Sequence, residues 1–189
     1  MPETKTKHSI PELCVLYGLG ETAAGIARPE HDGPTFVQAL MDAGEFPAAL
    51  AFLSYSLPTR EAIWWAWTCA RRMLVGEPPP AVQAALDATE RWIAQPAEVH
   101  RRPTLEIAES ADLGTPAGCA ALAVFFSGGS LAPPELPVVA PPPGAAARAI
   151  AGSITLAAVS PPPDKAPDRF RQFIGQGLEV AARIKLWEP

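Results

Sequence analysis

The 189-residue chain has few of the side chains that metal, disulfide and nucleic-acid chemistry need. It holds only three cysteines and three histidines, without a Cys-x-x-Cys or His-x-x-x-His pair, so neither a disulfide framework nor a metal site is predicted. Fifteen basic against 20 acidic residues leave a net charge of −5. Binding to nucleic-acid phosphates needs a cationic surface. We therefore expect no nucleic acid, metal or other cofactor as a ligand.

Long apolar runs are also missing. The best candidate, residues 117–126, reaches about half of the roughly 18 residues that cross a bilayer. Residues 1–10 are polar and lack the apolar stretch of a secretory signal. Apolar residues nevertheless make up 48% of the chain, which is too many for a disordered protein. The sequence predicts a folded, cytoplasmic protein that does not insert into membranes.

Alanine and proline are what the sequence has in abundance. Most of the 23 prolines lie between apolar stretches, where proline can begin a helix but cannot continue one. Strand-length runs of β-branched residues are nearly absent. We predict an all-α, single-domain bundle of seven to eight short helices over residues 9–189, after a flexible N-terminus at residues 1–8. Residues 20–34 are predicted to be mainly loop, and residues 96–110 one helix.

The predicted helix at residues 58–75 is the most informative segment. Its residues Ile63, Trp67, Ala70 and Leu74 recur at helical spacing on one face, and a second apolar face adjoins it. A helix that is apolar over most of its circumference normally packs on several sides. We therefore predict that this tryptophan-rich helix lies at the centre of the bundle.

Three tryptophans of this helix cannot all face one core. Trp64, Trp65 and Trp67 lie within four residues, and neighbouring side chains on a helix point about 100° apart. One interpretation is that other helices cover all three. The alternative is that Trp64 or Trp65 lies on a partner-binding surface together with Arg60 and Arg71, since tryptophan and arginine dominate binding energy at interfaces.

A proline-rich segment at residues 128–143 is predicted to cross the surface in extended form. Such a segment offers a pre-ordered surface at low entropic cost, which suits protein contacts. Its candidate contact residues are Gly128, Gly129, Leu131, Pro133 and Pro134. The alternative is a plain connection packed over the core. The leading hypothesis is a non-enzymatic module that binds another protein, and a homodimer that buries the tryptophans is compatible with it.

One acid–base cluster supports a different hypothesis. Glu30, His31 and Asp32 lie together in a predicted polar loop beside a proline. They would suit a small enzyme or ligand-binding protein if they lined a helical pocket. The sequence supplies no identifiable nucleophile to accompany them, so a loop that leads into a helix is the favoured interpretation.

Three sequence blocks resemble an uncharacterised bacterial domain family. Residues 57–66 read LPTREAIWWA, residues 126–134 read FSGGSLAPP, and residues 141–143 read PPP and are followed by ARAIAG at 147–152. Members of that family occur beside type VI secretion genes. The resemblance implies an accessory adaptor or co-chaperone in effector delivery, with a secretion effector, adaptor or spike component as its partner. It brings no assigned catalytic residues.

Overall fold

The described part of the chain, residues 8–187 of a computed structural model, is built from α-helices and contains no β-strand. The predicted all-α bundle is therefore confirmed. In chain order the α-helices are α1 (Ile10–Tyr17), α2 (Glu21–Ile26), α3 (Gly33–Asp42), α4 (Phe46–Ser56), α5 (Thr59–Arg72), α6 (Pro80–Ala94), α7 (Glu98–Arg101), α8 (Thr104–Ser110), α9 (Pro116–Phe125), α10 (Ala145–Ala158) and α11 (Ala166–Arg183), with a 3-10 helix at Pro163–Lys165.

The chain is divided into more helices than the predicted seven to eight. Part of the expected loop at residues 20–34 is helical, because α2 forms there and buries Ala23. The expected single helix at residues 96–110 is two helices, α7 and α8, separated at Pro103, since proline cannot supply the N–H that a continuous helix needs. The predicted flexible stretch at residues 1–8 lies, except for His8, outside the described residues.

Two hydrophobic clusters hold the helices together. The larger one draws most of its residues from α1 to α5, α10 and α11. The smaller one joins α5, α6, α8 and α9. Helix α5 contributes to both and contacts α4, α6, α9, α10 and α11. The prediction that the tryptophan-rich helix is central is therefore confirmed. The physical reason is that α5 has two apolar faces, so other helices can pack on more than one side of it.

The inner face of α5 is anchored by Trp65. Its side chain is fully buried, and its indole N–H donates a hydrogen bond to the carbonyl of Phe173, at 2.8 Å. Gly177 of α11 lies directly against the ring. A Cβ added at this position would come within 2.7 Å of Trp65 Cζ2. The absence of a side chain at position 177 lets α11 pack closely against α5. No helix within residues 8–187 is long and apolar enough to cross a membrane.

Candidate partner-binding site

The residues of α5 predicted to contact a partner divide between the core and the surface. Trp65 has no exposed surface, so its assignment to a partner-binding surface is wrong: its face of the helix is covered by α11. Trp64 is half-buried and Arg60 is exposed. Arg71 is also exposed, but it lies at the other end of α5, where its guanidinium stacks over the ring of Trp67 at 4.7 Å. Only Arg60 and Trp64 therefore share a surface.

That surface is a shallow cavity of about 220 Å³, here named the α5–α11 groove. It is lined by Arg60, Glu61 and Trp64 of α5, Ile93 of α6, and Val180, Arg183 and Ile184 at the end of α11. Its floor is apolar, because Val180 is buried and Trp64 and Ile93 are half-buried. Ile184, in contrast, is among the large apolar side chains that remain exposed. The groove thus offers an apolar floor between two arginines.

The two arginines of the groove are positioned without being neutralised. The Nε–H of Arg60 donates to the carbonyl of Ile93, at 2.7 Å, which fixes the side chain against the end of α6. The guanidinium carbon of Arg183 lies 5.9 Å from the centre of the Trp64 ring, within cation–π range. Within residues 8–187 neither arginine forms an ion pair with a carboxylate. Glu61 is the acidic side chain of the groove wall.

The proline-rich segment is held down by a group we name the Arg101 clamp, formed by Glu98, Arg101 and Arg102. Arg101 is 3% exposed. Its guanidinium contacts both carboxylate oxygens of Glu98, at 2.6 and 2.7 Å, and donates to the carbonyls of Phe125 and Ser130. Arg102 pairs with Glu98 at 2.8 Å and donates to the carbonyl of Ala132, at 2.9 Å. These carbonyls lie at the start of the segment and just before it.

The segment itself folds back on its own backbone. Leu131 N–H donates to the carbonyl of Val139, at 2.8 Å. The buried hydroxyl of Ser130 accepts hydrogen bonds from the N–H groups of Ala132 and Val139, at 3.1 Å each. The prediction of one extended crossing is therefore wrong for residues 130–139, because Ser130 satisfies two backbone groups and closes them into a loop.

Residues 36–181 match a family of unknown function, DUF6931. The chain belongs to this family. The matched region begins in α3 and ends in α11, so it includes the Arg101 clamp and most of the α5–α11 groove. The prediction of an uncharacterised domain family is confirmed. No curated protein and no solved structure matches the chain.

Within this DUF6931 domain, the glycines of the proline-rich segment have different environments. Gly129 has a positive φ of 65°, and a Cβ there would lie 2.8 Å from Arg101 Nη2 and 2.9 Å from Glu98 Oε2, so this glycine serves the clamp. Gly128 lines a second groove, which lies between the end of α4 and the starts of α5 and α10. Leu131 is half-buried, and Pro133 and Pro134 are exposed. None of these last three lines either groove.

Sequence reasoning missed the Arg101 clamp. The available signal was the position of Glu98, three residues before Arg101 and four before Arg102, which is the spacing of side-chain pairs on a helix. The two arginines hold the pKa of the Glu98 carboxyl below its ordinary value, chiefly through the hydrogen bonds from Arg101. That spacing indicates a local pair. It does not reveal that Arg101 reaches carbonyls 24 and 29 residues further along the chain.

The Glu30–Asp32 cluster lies before the region that matches DUF6931. Asp32 caps α3 by accepting a hydrogen bond from the N–H of Thr35, at 2.8 Å, and contacts with Thr35 lower the pKa of its carboxyl. The His31 ring is partly buried beside Phe36, with ring centres 6.2 Å apart. None of the three residues lines either groove. This matches the interpretation as a loop leading into a helix.

No set of three or more metal-binding side chains is gathered within residues 8–187. Burial raises the pKa of the Cys14, Cys69 and Cys119 thiols.

Proposed function

We propose that this DUF6931 protein is a non-enzymatic interaction module and that the α5–α11 groove binds a segment of another protein. The observation that supports this proposal is the pairing of an accessible tryptophan with two arginines that have no carboxylate partner within residues 8–187. Tryptophan and arginine in a partly enclosed depression are the residues that contribute most to binding at protein interfaces.

The chemistry of the groove defines the partner segment. An aliphatic side chain would pack on Trp64 and Ile93, while a neighbouring carboxylate would meet Arg60 and Arg183. Arginine suits this role, because its planar guanidinium can donate two parallel hydrogen bonds to one carboxylate. The net charge of the protein is −5. The positive charge of Arg60 and Arg183 at the groove would therefore orient an acidic segment as it approaches.

Pre-organisation supports the same proposal. Arg60 is already held by the Ile93 carbonyl, and Arg183 is already placed beside the Trp64 ring. Side chains that are ordered before binding lose less conformational entropy when a partner arrives. A short segment could therefore bind with useful affinity although the groove is small.

We further propose that the module acts as an accessory adaptor or co-chaperone in type VI effector delivery. The support for this narrower role is the resemblance of the three sequence blocks to a family found beside type VI secretion genes. The partner would then be an effector, an adaptor or a spike component that presents an acidic segment with an aliphatic residue.

Co-purification from the native host with matched charge reversals tests the proposal. Arg183→Glu reverses a charge inside the groove, while Arg71→Glu reverses the charge of an exposed arginine at the other end of α5, outside the groove. We expect Arg183→Glu and Trp64→Ala to reduce the retained partner at least about tenfold, the loss of one strong interfacial contact. Arg71→Glu should retain it.

Equal retention by Arg183→Glu and Arg71→Glu would contradict the groove as the binding site. Loss of the partner in Arg71→Glu alone would move the site to the opposite end of α5. Thermal melts of each variant establish that the fold is intact before the retained partner is quantified.

A further inference from the structure

A second cavity, of about 360 Å³, lies where four helices end or begin. We name it the helix-end groove. It is bounded by the end of α4, the start of α5, the residues after α9, and residues 141–147, which lead into α10. Its volume falls within the range of about 300–1,000 Å³ that is typical of ligand sites. It is separate from the α5–α11 groove, since no residue lines both.

No charged side chain lines this groove, and the nearby guanidinium of Arg148 is already engaged by the Tyr55 hydroxyl and the Pro143 carbonyl, at 3.2 and 3.1 Å. The polar groups of the wall are hydroxyls, contributed by Ser54, Tyr55, Thr59 and Ser127, together with the main chain. Ser54 is only 4% exposed, and its hydroxyl has no hydrogen-bond partner within residues 8–187. An uncharged polar wall with an unsatisfied buried hydroxyl points to an uncharged ligand that forms hydrogen bonds.

Unused main-chain donors meet at the groove. Helices α5 and α10 both begin there and have no side-chain cap, and the first N–H groups of a helix have no acceptor within it. At the start of α10, Ala145 N–H bonds to the carbonyl of Pro142, whereas Ala146 and Ala147 have no acceptor within residues 8–187. Thr59 N–H at the start of α5 is likewise unpaired in this part of the chain.

Unused acceptors lie in the same wall. The carbonyl of Ser54 would ordinarily bond to the N–H of residue 58, but Pro58 has none. The carbonyls of Pro142 and Pro143 already accept hydrogen bonds from Ala145 N–H and from the Arg148 guanidinium, which leaves the Pro141 carbonyl without a donor within residues 8–187. A ligand that alternates donors and acceptors, as an extended peptide main chain does, matches these two sets of groups.

The aromatic rings of the wall are partly occupied by contacts within the chain, which favours a peptide over a saccharide. Saccharides generally need an open ring face for stacking. One face of Tyr55 is covered by Tyr17, with ring centres 4.6 Å apart and planes 10° from parallel, and the backbone of Gly144 abuts its edge. Phe126 packs against Phe125 at 5.8 Å.

From these contacts we infer that the helix-end groove binds an uncharged, extended peptide segment through its main chain. The inference does not depend on the α5–α11 groove, because the two sites differ in lining residues and in charge. It assigns the three helix-start N–H groups as donors and the carbonyls of Ser54 and Pro141 as acceptors.

Titration of ¹⁵N-labelled protein with a capped, uncharged peptide, acetyl-Ala-Ala-Ala-amide, tests the inference. We expect saturable NMR shifts at the amides of Ala146, Ala147 and Thr59. Acetate and maltotriose, added at the same concentrations, should leave these amides unmoved. Shifts with acetate alone would indicate an anion site, shifts with maltotriose alone a saccharide site, and no shift with any probe an empty groove; each of these results overturns the inference.

A single substitution removes one donor from the site. Proline already occupies the second position of α1, α3, α4 and α11, so Ala146→Pro, at the second position of α10, should preserve the helix while deleting the N–H. We expect it to weaken peptide binding about fivefold, as for one lost hydrogen bond. Ala146→Ser keeps the N–H and serves as the matched control. Equal affinity in the two variants would show that the Ala146 N–H is not used.

Discussion

The α5–α11 groove and the Arg101 clamp are built from the same residue types but differ in how completely those residues are used. In the clamp, Arg101 is buried and its guanidinium is committed to one carboxylate and two carbonyls. In the groove, Arg60 and Arg183 are exposed and have no carboxylate partner within residues 8–187. An arginine whose partners are all internal stabilises the fold, whereas one that is positioned without a counter-charge can receive a ligand.

The same contrast separates two neighbouring tryptophans. Trp65 is fully buried with its N–H bonded to Phe173, while Trp64 is half-buried in the groove wall. Their one-residue offset rotates them about 100° apart on α5. Burial and satisfied hydrogen bonds, rather than residue type, therefore distinguish a structural side chain from one that can bind a partner.

The largest expected effect comes from the buried tryptophan. Trp65→Ala should lower the free energy of unfolding by about 3–5 kcal/mol, because it leaves a large cavity and an unpaired Phe173 carbonyl. Trp64→Ala should cost about 1 kcal/mol, since its ring is only partly removed from water. Urea denaturation of both variants measures the difference, and similar losses would remove the contrast between the two faces of α5.

The next effect concerns the Arg101 clamp. Arg101→Met should lower the free energy of unfolding by about 2–3 kcal/mol, because it leaves buried carbonyls without donors. Arg183→Met, in the groove, should change it by no more than about 0.5 kcal/mol, as for other surface substitutions. Hydrogen exchange at Leu131 and Val139 should quicken in the clamp variant alone. Unchanged exchange there would show that the clamp does not hold the loop.

Two glycines of α11 should respond in opposite directions. Gly177→Ala places a Cβ 2.7 Å from Trp65 and 3.1 Å from Leu53, and such overpacking costs about 1–3 kcal/mol. A Cβ at Gly175 meets open space, so Gly175→Ala should stabilise α11 by about 0.5–1 kcal/mol through helix propensity. Thermal melts compare the two, and a stabilising Gly177→Ala would contradict the close packing of α5 and α11.

The smallest effect is a pH dependence at Glu98. Its folded-state pKa is lowered by Arg101 and Arg102, so its contribution to stability is present above the pKa of an unfolded glutamate, about 4.3, and is lost as the pH falls below it. Since the side chain is 50% exposed, we expect Glu98→Gln to cost less than about 1 kcal/mol at pH 7. The difference from the parent should shrink by pH 3. A difference that is unchanged at pH 3 would exclude the charge as its cause.

Much of the fold could be predicted from local pattern. Alanine-rich segments bounded by proline indicated helices. The spacing of Ser9 and Glu12 is that of a capping box at a helix start, and Ser9 N–H donates to the Glu12 carboxylate, at 2.7 Å. The two apolar faces of α5 likewise indicated a central helix. Each of these signals depends on residues within one or two helical turns of one another, which is why a sequence without its structure contains them.

The candidate site was predictable only in part. Arg60 and Trp64 were among the predicted contact residues, but their groove is completed by Ile93 and Arg183, which lie far along the chain. Trp65 was misplaced, because periodicity gives the angle between two side chains and not which one another helix will cover. The helix-end groove had no sequence signal, since its donors are main-chain N–H groups, which every residue except proline carries.

By itself the sequence determined that this DUF6931 chain forms helices and that one of them is apolar enough to be surrounded. The tertiary structure decided which tryptophan is buried, which arginines are neutralised and where helix ends meet. The reason is physical: helix propensity and capping are local, whereas burial and hydrogen-bond satisfaction depend on which distant segments fold against a given side chain.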